Sequence, residues 1–198
     1  AFEFRPIGAR AGGMGDTFAG MADGAEALFW NPASIAWLPG IEATVGYDRP
    51  FGMKELQTQA FGVVFRTGVG AAGLSYQSYG YELFKERAIG LTYGCAFSQK
   101  LGLGIGVLWM QLDVDGIESL KWFAFDLGVR AFITERVVWA VSSWNVSGRD
   151  VEVLGQGGMM GIAFETASSV ILQVDVKKEV GTPTGLSVGV EYGSGRML

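Results

Sequence analysis

The chain has 198 residues, enough for one domain of average to large size. It carries 49% hydrophobic and only 18% charged residues, with 31 glycines, over twice the usual glycine share of about 7%. A net charge of −5, with no basic run longer than Lys177-Lys178, argues against a nucleic-acid partner. One cysteine, Cys95, and no histidine remove a disulfide framework, thiolate or imidazole metal sites and the commonest general base, so neither a cofactor nor an enzymatic role is expected.

The opening AFEFRPIGAR lacks the basic start and apolar run of a signal peptide, and is read as compatible with a mature terminus. Residues 1–40 form the first unit. They are rich in Gly, Ala and turn signals, and the stretch ALFWNPASIAWLPG sets Phe29, Trp30 and Trp37 around Asn31-Pro32-Ala33. Residues 22–28 suit a short helix with Asp23 near its start. Asn31-Pro32 suits a turn opening a second short helix through Trp37, stopped by Pro39-Gly40. The run Gly13-Met14-Gly15 follows no apolar strand and opens no βαβ unit, so a nucleotide loop is not expected.

From Ile41 the period is two. Bulky residues alternate with small or polar ones near 41–48, 60–65, 88–97, 101–109, 123–130, 170–177 and 186–192. Weaker alternation covers 69–79, 136–145 and 157–166. That predicts about ten strands, most near the 9–11 residues that cross a bilayer at a tilt. Polar turns at 67–68, 98–100, 134–136 and 166–169 should be short. Longer connections are expected at 49–56, 79–86, 113–121, 147–155 and 179–184. Short turns at one end and longer loops at the other is the layout of an up-and-down transmembrane barrel.

A soluble sandwich is the competing all-β fold. It would turn its bulky face inward and clothe the other in Lys, Glu, Thr and Ser. Here the second face is mainly glycine, alanine and serine, with isolated charges at Asp126, Arg130, Asp175, Lys177 and Glu191. That face fits a crowded lumen, which makes residues 41–198 a transmembrane β-barrel and residues 1–40 its internal hatch or plug. Tyr47, Tyr93, Phe97, Trp109 and Tyr192 would then belong to an interfacial girdle. Cys95 would face lipid as a small hydrophobe. Asn31 would hold the plug or simply cap a turn. Asp126, Arg130, Asp175 and Lys177 would pin the plug or line a polar path. Asp113-Val114-Asp115-Gly116 starts like a calcium loop, but Ala124 occupies the twelfth position, so a plain hairpin connection is expected.

The run Gly8-Ala9-Arg10, Gly13-Met14-Gly15, Ala22-Asp23 and Phe29-Trp30-Asn31-Pro32-Ala33 resembles the N-terminal signature of the PorV/PorQ-like barrels, a branch related to the FadL outer-membrane transporters. It departs from that signature at Gly24 and Ser34. The resemblance covers about thirty residues and implies a Gram-negative outer membrane, with lipid or lipopolysaccharide around the barrel. It implies fourteen strands, so either some four are missing from this chain, which ends in Ser-Gly-Arg-Met-Leu, or the chain is a smaller relative. Two roles follow from it: a partner-binding barrel in secretion or outer-membrane assembly, or passive uptake of hydrophobic small molecules through a gated lumen. A structural surface β-protein is the third reading. The small inner face weighs mildly against a broad greasy pocket. Loops 49–56 and 113–121, with Phe51, Met53, Asp115 and Ile117, suit a contact surface.

Overall fold

The structure, a computed structural model, describes residues 1–147, 153–166 and 169–193. The predicted alternation appears as ten strands: β1 Ile41–Asp48, β2 Thr58–Arg66, β3 Gly70–Tyr81, β4 Phe84–Ala96, β5 Leu101–Val114, β6 Leu120–Thr134, β7 Val137–Val146, β8 Gly157–Glu165, β9 Val170–Glu179 and β10 Gly185–Tyr192. They form one antiparallel sheet in strict chain order. The sheet is not closed, because no ladder joins β1 to β10 among the described residues.

Most connections follow the expected two-ended layout, with one correction. The 79–86 segment is not a long loop. The β3 and β4 ladder runs on to the pair Tyr81 and Phe84, leaving only Glu82 and Leu83 to turn. Residues 79–81 and 84–86 mix Gly80 with charges and so weaken the alternation, yet they pair because the hairpin continues beyond the apolar band. The 147–155 and 166–169 connections fall partly outside the described residues.

Side-chain parity decides which face is which. Ile89, Leu91, Leu103, Ile105, Val107, Phe125, Leu127, Ile162, Val174 and Val188 are all exposed on the convex face, whereas Ala71, Ala124, Ala140, Ala163 and Gln173 are buried on the other. Bulk faces out and small residues face in, the reverse of a soluble core.

Residues 1–40 fill the concave side. They make a one-turn helix, α1 (Ala9–Gly13), and two 3₁₀ turns, Ala25–Phe29 and Pro32–Trp37. The first 3₁₀ turn starts three residues later than the predicted helix, because Gly24 at φ 71° cannot continue a right-handed turn. This short segment reaches the inner face of every strand: Ile7 lies beside Gly46 on β1, Leu28 beside Gly62 and Gly73 on β2 and β3, and Ile35 and Pro32 on β4 to β6. Phe2, Ala19, Phe18 and Arg10 then meet β7 to β10 in turn. A sheet that touches one small segment with all ten strands is curled around it.

Candidate functional site: the anchored interior segment

Asn31 begins the second 3₁₀ turn. Its extended backbone (φ −154°, ψ 111°) and its Oδ1, which accepts the Ala33 N–H at 2.9 Å, make it the N-cap, with Pro32 in the first helical position where no N–H is needed. A simple cap would end there. Here the Nδ2 group also donates to the carbonyls of Val129 (3.1 Å) and Val141 (3.3 Å), a register pair on β6 and β7. The residue is fully buried, and a single amide ties the turn to itself and to the wall.

The wall allows this because it is bare. Gly94, Gly104 and Gly128 are register partners across β4, β5 and β6. A Cβ at Gly128 would overlap Asn31 Oδ1, one at Gly104 would overlap the Pro32 carbonyl carbon, and one at Gly94 would lie 2.7 Å from Ile35 Cγ1. These strand glycines permit close backbone approach. Trp37 sits over Gly102 in the same way and stacks edge-on against Phe132 at 5.0 Å.

The predicted inward charges face the concave side in two pairs, Asp126 and Arg130 on β6 and Asp175 and Lys177 on β9. Arg130 is 4% exposed and donates to the Ala22 carbonyl at 2.9 Å. Asp175 accepts the N–H groups of Phe18 (2.7 Å) and Ala19 (3.0 Å) and the Gln173 amide (2.8 Å). Lys177 Nζ lies 5.3 Å from the centroid of the Phe4 ring. Asp126 accepts the Asn145 N–H at 2.9 Å. Of the aromatics, Trp30 is buried and donates to the Ile7 carbonyl at 2.8 Å, while Phe29 is half-buried. Gly13 and Gly15 differ from the rest. They are exposed, and a Cβ at either would meet nothing within 4 Å.

Two groups of contacts lie beyond simple alternation. A bulge sets Trp144 and Asn145 against Asp126 on β6, with Asn145 at φ 54°, and turns both side chains inward. Asn145 Nδ2 then donates to the carbonyls of Phe2 (3.1 Å) and Leu154 (2.6 Å), and Trp144 donates to Gly155 (3.0 Å). At the loop end, Arg5 pairs with Glu86 at 2.6 Å and stacks 3.5 Å from the Tyr79 ring centroid. No sequence signal marks the bulge, and Glu86 lies in the segment read as a loop.

Between segment and wall lies a cavity of about 90 Å³, lined by Phe4, Trp30, Gln77, Thr92, Asp126 and Ser142 among others. Ligand pockets are usually about 300–1,000 Å³, so this one has room for a few waters. Phe4, Arg5 and Tyr79 line both this cavity and a recess of about 240 Å³ at the mouth, beside Asp48, Pro50 and Leu56.

No protein-family model, curated protein or solved structure matches this chain.

Proposed function

We propose that this chain is an outer-membrane β-barrel protein of a Gram-negative envelope, stoppered by its own N-terminal segment and acting as a partner-binding barrel in secretion or outer-membrane assembly. The carrying observation is the reversal of faces. Outward residues are uniformly apolar over 101–109 on β5 and over 123–133 on β6, matching the roughly 9–11 residues of a tilted transmembrane strand. No helix among the described residues is long and apolar enough to cross a membrane, so strands are the available route.

Three observations support the partner-binding role. The inner segment is bonded to the wall at Asn31, Arg130 and Asp175. The cavity between segment and wall, about 90 Å³, is well below ligand size. Phe51, Met53 and Ile117 are exposed on the loop-end connections, Phe51 at 93%, where a protein partner would dock. The PorV/PorQ-like resemblance of residues 8–33 agrees with this reading, and the reading assigns the chain no catalytic step.

Passive uptake of hydrophobic molecules is the second reading. It is favoured by the mouth recess, which Arg5, the ion-pair partner of Glu86, lines. In a bilayer the β1 and β10 edges must be paired, since lipid offers no partner to backbone N–H and C=O groups. Purification from native membranes separates the readings. Stoichiometric protein partners support the first; a bound apolar small molecule without partners supports the second and overturns the first.

A further inference from the structure

The outer face changes character within one step of the register. Val45, Phe61, Tyr76, Ile89, Trp109 and Phe123 form one row across β1 to β6, wholly apolar or aromatic. The next row of the same parity toward the loop end is Tyr47, Gln59, Ser78, Arg87, Gln111 and Lys121, of which Ser78 is buried. One position further, Lys85 faces Asp113. Trp109 therefore lies inside β5 yet at the rim of the apolar band, because β4 to β6 continue past that rim.

The rim on β4 to β6 presents three cations outward: Lys85, Arg87 and Lys121. One carboxylate lies among them. Asp113 pairs with Arg87 at 2.6 Å and is held by Gln111 Nε2 at 2.7 Å and by the Ser119 hydroxyl. Glu82, Asp115 and Glu118 lie in the connections beyond, and Glu86 faces inward to Arg5. A ledge of cations directly above an aromatic row fits a molecule that is acidic at its head and apolar below it. Interfacial Lys and Arg attract such headgroups, and Arg suits bidentate phosphate contact.

We propose that Lys85, Arg87 and Lys121 bind the phosphate-bearing headgroup of an acidic lipid, with its acyl chains lying on Ile89, Leu91, Val107 and Phe125. This rests on the membrane reading above and deepens it. The test uses the full chain, folded in detergent, and measures retained lipid by native mass spectrometry. The probes are bisphosphorylated lipid A, the same lipid without its phosphates, and inorganic phosphate. The account expects at least about tenfold preference for the phosphorylated lipid and no competition by millimolar inorganic phosphate. It expects that preference to vanish in the triple variant K85Q/R87Q/K121Q. A second variant, K100Q/R136Q, changes cations at the opposite turns and should keep the preference. Equal retention of both lipids, or equal loss in the two variants, overturns the site while leaving the membrane reading standing. A chain that folds and stays monomeric without detergent or lipid overturns both.

Discussion

At the scale of single residues, the interior depends on groups with no substitute. Asn31 supplies two donors and one acceptor at a fully buried site. Replacing it by alanine removes a cap worth about 1 kcal/mol and leaves the Val129 and Val141 carbonyls without this donor. Asn31→Ala should therefore raise hydrogen exchange across 25–38 by at least about tenfold while the strands keep their protection. Gly128→Ala attacks the same contact from the wall, since its new methyl would overlap Asn31 Oδ1. It should release the segment to limited proteolysis, whereas Gly116→Ala, at a loop glycine with nothing within 4 Å, should not. Burial of Glu26, with a smaller contribution from the Asp23 charge, raises its carboxyl above the usual range. The docked segment then holds the proton more tightly than the released one. Docking is favoured in acid and weakens as pH rises through the raised value, a dependence that Glu26→Gln should flatten in an exchange-versus-pH series.

At the scale of elements, alternation reports parity and fails where parity breaks. Bulky residues at odd positions of β4, β5 and β6 lie outward, with Asp126 and Arg130 at even positions of β6; on β9 the parity is inverted, with Leu172, Val174 and Val176 outward and Asp175 buried. The Asn31-Pro32 turn was legible because its N-cap and first-position proline are local chemistry. The β7 bulge was not, since Trp144 and Asn145 both turn inward and a period of two assigns them opposite faces. The 79–86 segment was misread for a related reason: its residues look like a loop because the hairpin continues into a polar setting. Asn145→Ala should free the 153–155 strand approach and the Phe2 end of the segment together. Exchange of both stretches should rise by a similar factor, because one amide serves both carbonyls.

At the scale of the whole molecule, an outward apolar face and an inner face of small residues around a fixed segment are one design. The glycine row admits the backbone of residues 31–36, and that backbone fills the space which large side chains fill in a soluble core. The outer band then has no protein to cover it. The open seam is the part composition did not announce. Val45 on β1 is 79% exposed, against 46% for Ile105 on β5, because β1 lacks a neighbour on one side. A charge placed mid-band should be costly, so Ile105→Arg should destabilise the folded protein in lipid by about 2–4 kcal/mol, measured by urea unfolding in vesicles.

The most direct measurement is spin-label accessibility in vesicles, in a Cys95→Ser background with one new cysteine at Ile105 or at Gln173. The account predicts that the Ile105 label is relaxed strongly by oxygen, which concentrates in lipid, and hardly at all by a water-soluble nickel chelate, while the Gln173 label is shielded from both. Nickel accessibility at Ile105 equal to that of an exposed loop site such as Gly116 would contradict it, since the bulky face would then be in water.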